Sequence, residues 1–144
     1  MEPPRRAPAR TLNVEPIGVV RSPLTARKNA PRRTSDGPPA VLDIDERFAP
    51  ALEQVQPGTE LIVVTWLHEG LRDTLQVHPG GDTSRPLTGV FATRSPDRPN
   101  PIGLHHVLVT EIVPPAQVRV AAIEAIDGTP ILDLKIALGS SESR

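Results

Sequence analysis

The last third of the chain alternates apolar runs with residues that force turns. Residues 104–113, 117–126 and 130–136 are runs rich in Val, Ile and Leu, and they are separated by Pro114–Pro115 and Asp127–Gly128. Proline cannot continue a central strand, and Asp-Gly favours a tight turn. This spacing predicts three successive strands with short connections, which is typical of an antiparallel meander.

Four further runs with strand character precede the meander. They are rich in β-branched or apolar residues and cover residues 14–22, 40–44, 60–67 and 88–93. A short helix is predicted to open at Asp45 or Arg47, since the apolar residues that follow recur at helical spacing and Pro57–Gly58 ends the pattern. Together these elements predict a mainly all-β fold, a small β-barrel of about six or seven strands with one or two short helices.

The length of 144 residues is that of one domain. We expect a β-barrel domain over residues 14–137, a disordered basic arm over 1–13 and a disordered tail over 138–144. The chain has no cysteine, which excludes disulfides, thiolate metal sites and cysteine nucleophiles. It also has no apolar run of about 18 residues, and its N-terminus lacks the apolar stretch of a signal peptide. The sequence therefore predicts a soluble cytoplasmic protein without a membrane partner.

Positive charge is concentrated near the N-terminus. Residues 1–33 hold eight basic and two acidic residues, although the formal net charge of the whole chain is −1. Such a basic segment attracts phosphate groups, whereas the alternative is a solvated, proline-rich tail. Phe48, Trp66 and Phe91 are the only aromatic residues, fewer than base-stacking surfaces usually present.

Common cofactor and metal motifs are missing. The sequence contains no G-x-G-x-x-G, no G-x-x-x-x-G-K-[ST] and no G-x-S-x-G. The candidate metal ligands are His68, His78, His105 and His106, but no H-E-x-x-H motif arranges them. His105 and His106 would point to opposite faces of a strand. We therefore predict no metal site.

The segment GVFATRSPDRPNPIGL, residues 89–104, combines three prolines with polar side chains. The prolines restrict the backbone, so the loop loses less conformational entropy on folding. A rigid loop that presents Arg94, Arg98 and Asn100 is suited to a polar, anionic ligand. The alternative is a proline-stiffened connection whose arginines pair with surface acids.

A second candidate segment is DGTPILDLK, residues 127–135. Asp127 and Thr129 offer an acceptor and a hydroxyl at a turn, and Gly128 lets a ligand approach the backbone. The alternative is an ordinary hairpin turn, since Asp-Gly forms such turns in many proteins.

These two segments, in this order, resemble the TsaA-like family, whose best-known members are the TrmO-type tRNA methyltransferases. IGVVRSP, APRRTSDGP and WLHEG, at residues 17–23, 30–38 and 66–70, resemble further segments of the family in the same order. The resemblance covers roughly residues 14–136. It implies a small β-barrel, usually a homodimer, with S-adenosylmethionine as cofactor. The implied reaction is methylation of N6 of threonylcarbamoyl-adenosine in the tRNA anticodon loop.

The resemblance also implies which residues contact S-adenosylmethionine. They belong to the long loop predicted over residues 23–39, the end of the strand predicted over 60–67, the proline-rich segment 89–104 and the Asp-Gly turn: Arg33, Thr34, Ser35, His68, Glu69, Arg94, Leu104, Asp127, Gly128, Thr129 and Pro130. A carboxylate such as Asp127 accepts from ribose hydroxyls or an amine, Arg94 takes a carboxylate, and Leu104 covers an adenine face. No catalytic residue is assigned, and Glu69 and Asp127 are only candidates for a general base.

Three functions stay open at this point. The first is methylation of tRNA, which the basic first loop favours. The second is methylation of a small-molecule acceptor, which the acidic remainder of the chain favours. The third is a non-catalytic module that binds S-adenosylmethionine. The chain departs from the family at Glu69, where glutamine is frequent, and at Pro31–Arg32–Arg33, where Pro-Arg-Gln is frequent.

Overall fold

Eight β-strands and five short 3₁₀ helices form the regular structure of residues 11–139, the part of the chain described by the computed structural model. The strands are β1 (Gly18–Arg21), β2 (Ala40–Ile44), β3 (Glu60–Trp66), β4 (Gln76–Val77), β5 (Thr88–Gly89), β6 (Ile102–Val113), β7 (Gln117–Val120) and β8 (Pro130–Ile136). The 3₁₀ helices are Arg27–Asn29, Thr34–Asp36, Glu46–Leu52, Pro79–Gly81 and Val90–Ala92. Residues 1–10 of the predicted arm and 140–144 of the predicted tail lie outside the described residues.

Six of the strands pair in a closed ring. The order around this barrel is β1-β2-β7-β6-β3-β8, every pair is antiparallel, and β8 closes the ring against β1. β4 and β5 form a separate two-stranded sheet. The prediction of a mainly-β fold with a small barrel is confirmed. Within residues 11–139, no helix is long and apolar enough to cross a bilayer.

The predicted meander is wrong at its second connection. β7 follows β6 as expected, but β8 pairs with β3 and β1 instead of β7. The predicted strand 117–126 ends at Val120, and residues 121–129 cross the end of the barrel to reach β8. Ile123, Ala125 and Ile126 are buried in this crossing segment. An apolar run can be buried without pairing as a strand, and the sequence pattern does not distinguish the two cases.

Two other predicted elements differ from the structure. The strand predicted over 88–93 stops at Gly89, because the chain turns into the 3₁₀ helix Val90–Ala92 with the Val90 side chain buried. The strand predicted over 14–22 is limited to Gly18–Arg21. The short helix is confirmed as Glu46–Leu52, and the Asp45 carboxylate caps it by accepting from the Arg47 N–H at 3.1 Å.

The core lies inside the barrel and follows from the alternation of the strands. Inward positions of β3 and β6 are buried and outward positions are not. Fully buried side chains come from several strands and from the crossing segment, and include Val20, Leu42, Val63, Val118, Ile123 and Ile131. Burial of each such side chain contributes about 1.5–3 kcal/mol relative to leaving it exposed. The barrel is therefore held chiefly by apolar burial.

The register places the long connections at one end of the barrel. Arg21 pairs with Val41, Trp66 with Ile102, and Val19 with Pro130. Three connections therefore leave the same end, which we call the long-loop end: residues 22–39, 67–101 and 121–129. The opposite end, the helix end, carries residues 45–59 with their 3₁₀ helix and the short turn 114–116.

Candidate functional site

The predicted site residues, apart from Leu104, belong to the three connections of the long-loop end or to the strand start that follows them. Arg33, Thr34 and Ser35 lie on residues 22–39, which we call the first loop. His68, Glu69 and Arg94 lie on 67–101, and the residues from Asp127 to Pro130 end the crossing segment and begin β8. The topology therefore brings segments from distant parts of the sequence to one end of the barrel.

The Asp127–Pro130 turn is hydrogen-bonded to the beginning of the first loop. The Asp127 N–H donates to the Leu24 carbonyl at 2.7 Å, and its carboxylate accepts from the Ser22 N–H at 3.0 Å. Gly128 has a φ of 81°, and apart from Gly128 and its two chain neighbours no atom of residues 11–139 lies within 4 Å of the position that a Cβ would occupy. The backbone at Gly128 is thus open to a ligand. Thr129 is buried, and its hydroxyl donates to the Ile126 carbonyl at 2.7 Å.

The Arg33–Ser35 segment forms an exposed turn that lies against β6. The Asp36 N–H donates to the Arg33 carbonyl at 3.1 Å, which begins the 3₁₀ helix Thr34–Asp36. Gly37 follows it and packs on the crossing segment, where a Cβ would come within 2.1 Å of the Ile123 carbonyl oxygen. Glycine is therefore required at position 37 for this close approach.

His68 and Glu69 follow β3 at the barrel edge and are both exposed. Their side chains approach each other, with 3.8 Å between His68 Nε2 and Glu69 Oε2. Gly70 turns the chain directly afterwards, and a Cβ there would lie 2.4 Å from the Pro96 carbonyl oxygen. The end of β3 therefore packs closely on the proline loop, residues 94–101.

Arg98 and Asn100 both hydrogen-bond to other residues of the connection 67–101. The Arg98 guanidinium donates to the Val90 and Thr93 carbonyls. The Asn100 Oδ1 accepts from Arg72 Nη2 at 3.0 Å. The Arg98 guanidinium thus satisfies backbone carbonyls that need donors, whereas Asn100 is exposed. Arg94 is exposed at the start of the loop.

Arg27 links three segments and was not singled out from the sequence. Its Nη2 lies 2.7 Å from both carboxylate oxygens of Asp97, and its Nη1 donates to the Glu69 carbonyl at 3.0 Å. Asp97 Oδ1 also accepts from the Leu71 N–H at 2.8 Å. Burial raises the pKa of Asp97, but the hydrogen bonds from Arg27 and Leu71 outweigh it and hold that pKa below its ordinary value. Seventy residues separate Arg27 and Asp97 in the chain, so no local pattern signals the pair.

The buried side chains of Thr65 and His105 and the half-buried Glu124 form a chain of contacts that the sequence analysis did not predict. Thr65 Oγ1 lies 2.7 Å from His105 Nε2, and His105 Nδ1 contacts the Glu124 carboxylate. Burial lowers the pKa of His105 to about 4, so the imidazole is neutral at pH 7. A neutral ring facing a carboxylate donates from Nδ1 to Glu124 and accepts from the Thr65 hydroxyl at Nε2. This chain of contacts ties the crossing segment to the barrel interior.

The histidines do not form a metal centre. His105 points into the barrel, whereas His106 lies on the outer surface with Nε2 3.0 Å from Glu60 Oε1, so their opposite orientation is confirmed. Over residues 11–139, no group of three or more His, Cys, Asp or Glu side chains comes together in a way that could hold a metal ion.

The structure places Leu104 on an apolar outer surface instead of in a loop. It pairs with Val64 across β3 and β6, and Trp66 pairs with Ile102. Ile102, Leu104 and Leu108 on β6 are 43%, 51% and 45% exposed. We call the apolar outward side chains of these two strands, namely Ile62, Val64, Trp66, Ile102, Leu104 and Leu108, the outer β3–β6 face.

A groove of about 460 Å³ lies at the helix end, away from the predicted site. It is apolar and is lined mainly by residues of the 3₁₀ helix and the neighbouring strand ends, including Ile17, Phe48, Leu52, Leu61, Leu134 and Ile136. None of the predicted contact residues lines this groove. The groove therefore lies at the opposite end of the barrel from the polar groups of the long-loop end.

Comparison with known proteins identifies the family. A family model described as the tRNA-methyltransferase O N-terminal domain matches residues 19–140. The chain belongs to this family. The matched span includes every predicted contact residue, and the family resemblance of the sequence motifs is confirmed.

Members of the tRNA-methyltransferase O family and its relatives share both sequence and fold with the chain. An S-adenosyl-L-methionine-binding protein of Archaeoglobus fulgidus is 41% identical over 124 residues, 85% of this chain and 86% of the relative. The probable S-adenosyl-L-methionine-binding protein VirR of Rhizobium radiobacter is 39% identical over 83% of this chain and 67% of its own length. A crystal structure of TrmO from Pseudomonas aeruginosa superposes with a TM-score of 0.73 at 27% identity. The alignment covers 94% of this chain but only 60% of that TrmO chain.

Proposed function

We propose that this protein binds S-adenosylmethionine at the long-loop end and methylates N6 of threonylcarbamoyl-adenosine in the tRNA anticodon loop. The observation that carries the proposal is the convergence of the first loop, the end of β3, the proline loop and the Asp127–Pro130 turn at one barrel end. Two curated relatives are named as binding S-adenosylmethionine, and the family is named for a tRNA methyltransferase. The location and the names together support this function.

The polar groups at the long-loop end fit the chemistry of S-adenosylmethionine. The ligand carries an adenine, a ribose diol, an ammonium and a carboxylate. The Asp127 and Glu69 carboxylates are exposed and suit the ribose hydroxyls or the ammonium, and Arg94 suits the carboxylate. The open backbone at Gly128 allows a flat or extended group to approach closely.

In the proposed reaction, the main role of this chain is to position the acceptor nitrogen and the methyl group. S-adenosylmethionine supplies a methyl group already activated by its sulfonium. The residues at the long-loop end would hold the acceptor nitrogen in line with that methyl group, at about 3–3.5 Å. As the N–C bond forms and the S–C bond breaks, N6 must lose its proton. The Glu69 and Asp127 carboxylates are the candidates to accept it, since both are exposed at this end.

The charge of the first loop supports a tRNA substrate. Four of the five charged residues in 22–39 are basic: Arg27, Lys28, Arg32 and Arg33, against Asp36. Lys28, Arg32 and Arg33 are exposed. We expect tRNA binding to weaken steeply with salt, because each phosphate contact releases counterions.

Two observations favour other functions of the same site. The part of the chain after residue 33 holds eight basic and 15 acidic residues, which favours a small-molecule acceptor over tRNA. The curated relatives are named only for binding S-adenosylmethionine, which favours a non-catalytic binding module.

We also propose that the chain forms a homodimer through the outer β3–β6 face. The face presents apolar side chains from two paired strands, interrupted by His106 and Glu60, and such exposed apolar surfaces mark interaction sites. Sedimentation velocity should show a dimer for the wild type and a monomer for Leu108→Arg. Val14→Arg, an exposed position before β1, is the matched control and should stay dimeric. A monomeric wild type, or a dimeric Leu108→Arg, would contradict this face.

The function is tested with methyl-labelled S-adenosylmethionine. The protein is incubated with tRNA from cells that lack the N6-methyl modification and, in parallel, with a tRNA-free small-molecule extract. Label in tRNA supports the proposed reaction, and label only in the extract supports the small-molecule alternative. Binding without any transfer supports the non-catalytic module, and absence of binding refutes all three.

Arg94→Ala gives an independent check of the site. We expect this variant to bind S-adenosylmethionine more weakly, by about tenfold in Kd, while its unfolding curve stays close to that of the wild type. A variant that loses its fold would instead make Arg94 a structural residue.

A further inference from the structure

We infer that the Arg27–Asp97 ion pair is the positioning contact of the long-loop end. It holds the first loop, the end of β3 and the proline loop in one arrangement, so that the predicted S-adenosylmethionine contacts on these segments stay together. This inference rests on the proposed function for its ligand. The geometric part of it, the ordering of the first loop, can be measured without any ligand.

The pair joins three segments through one guanidinium and one carboxylate. Arg27 Nη2 reaches both oxygens of Asp97 at 2.7 Å, and Nη1 reaches the backbone carbonyl of Glu69 at 3.0 Å. From the other side, the Leu71 N–H donates to Asp97 at 2.8 Å. Glu69 is itself a predicted ligand contact, so the pair fixes its backbone directly.

The first loop depends in part on such polar contacts, because none of its side chains is fully buried. In the described chain, every side chain of residues 22–39 is exposed or half-buried. The other hydrogen bonds that join this loop to the rest of the described residues lie near its ends or reach the connection 67–101: Ser22 and Leu24 contact Asp127, Arg32 contacts Gly80, and Pro38 contacts Ile123. Arg27 is therefore the contact that attaches the middle of the loop to the β3 end and the proline loop.

Because the Arg27–Asp97 pair is only partly buried, its loss should change the structure locally. The side chains of Arg27 and Asp97 are 39% and 20% exposed, so solvent screens their attraction in part. Neither Arg27 nor Asp97 belongs to the apolar core cluster of the barrel. Loss of the pair should free the first loop and weaken ligand binding while leaving the barrel folded.

The experiment uses Arg27→Gln, Asp97→Asn and the double variant in the full chain. Each single variant should raise the Kd for S-adenosylmethionine about tenfold, and the double variant no further than either single one. Arg27→Lys keeps the charge but loses the two-point geometry, and should bind with intermediate affinity. Arg47→Gln, which breaks the exposed 2.7 Å pair with Glu15 at the helix end, is the control and should bind like the wild type.

Amide hydrogen exchange without ligand separates this inference from the proposed function. In Arg27→Gln, amides of 22–39 should exchange about tenfold faster than in the wild type, and barrel amides should not change. If exchange and Kd both match the wild type, the inference is wrong. If barrel amides lose protection as well, the pair is a general stability element and the inference is also wrong. A wild type that fails to bind S-adenosylmethionine refutes the proposed function, while the exchange data still decide whether the pair orders the loop.

Discussion

The two ends of the barrel are held by different forces. At the helix end, Phe48 and Leu52 of the 3₁₀ helix pack against strand ends and line an apolar groove. At the long-loop end, polar contacts such as Arg27–Asp97 and Ser22–Asp127 join the connections to each other. A surface held by polar side chains keeps donors and acceptors near a ligand, whereas an apolar end mainly adds stability. The difference separates an end held by apolar packing from an end held by polar contacts, and it is at the second that we propose ligand binding.

The crossing segment belongs to both parts. Ile123 is fully buried in the core, yet its N–H donates to the Pro38 carbonyl of the first loop at 3.1 Å. Glu124 contacts His105 inside the barrel, and Asp127 contacts the first loop three residues later. Changes in this segment therefore test how separate the two parts are.

The largest effect is expected for Ile123→Ala. Truncation of a fully buried isoleucine leaves a cavity and should lower the free energy of unfolding by about 2–5 kcal/mol. Because Ile123 also supports Pro38, the variant should bind S-adenosylmethionine more weakly than the wild type under conditions where both are folded. Urea unfolding and calorimetric titration measure the two effects. Ile136→Ala, at a 57% exposed isoleucine, should lose much less stability, and equal losses would contradict the burial of the crossing segment.

The next effect is a pH dependence caused by His105. Its pKa in the folded protein is about 4, below the ordinary 6.5. Between these values the unfolded chain binds a proton that the folded chain does not, so stability falls as the pH drops from about 6.5 to about 4. The full loss is about 3 kcal/mol, since one pKa unit corresponds to about 1.4 kcal/mol.

Urea unfolding at several pH values tests this assignment to His105. His105→Gln should show a shallower loss of stability in acid than the wild type, because the residue that titrates is gone. His78→Gln is the matched control, since His78 lies in the loop after β4, and it should follow the wild-type curve. If the free energy of unfolding of His105→Gln falls with decreasing pH as steeply as that of the wild type, other groups cause the acid sensitivity.

The smallest effect on stability is expected in a comparison of alanine substitutions at two glycines. A Cβ at Gly37 would meet the Ile123 carbonyl at 2.1 Å, so Gly37→Ala should push the first loop away from the crossing segment and cost about 1–3 kcal/mol. In the described residues nothing lies within 4 Å of a Cβ at Gly89, and Gly89→Ala should leave stability nearly unchanged. Thermal unfolding of both variants measures the difference. Similar melting temperatures would show that the loop adjusts without loss.

Much of the strand pattern could be predicted from the sequence. β2 and β8 begin and end where their apolar runs do, because alternation along a strand buries one face and exposes the other. The predicted run 117–126 failed because burial of Ile123, Ala125 and Ile126 does not require a strand partner. The sequence pattern also does not predict which strands are neighbours around the ring, as the position of β8 between β3 and β1 shows.

The candidate site, too, could be predicted from the sequence only in part. Motifs at Arg33–Ser35, His68–Glu69, Arg94 and Asp127–Pro130 were recognisable because each is a short, continuous stretch of sequence. Arg98 and Asn100 looked equally available, but in the folded protein Arg98 donates to the Val90 and Thr93 carbonyls and Asn100 accepts from the Arg72 guanidinium.

The sequence by itself determined the family, the positions of most strands and the short segments that carry the candidate ligand contacts. These features depend on neighbouring residues, through alternation, turn chemistry and compact motifs. Only the tertiary structure decided that Arg27 meets Asp97 across 70 residues and that His105 meets Thr65 across 40. Such contacts follow from closure of the ring, which sets distances between residues that no local pattern relates.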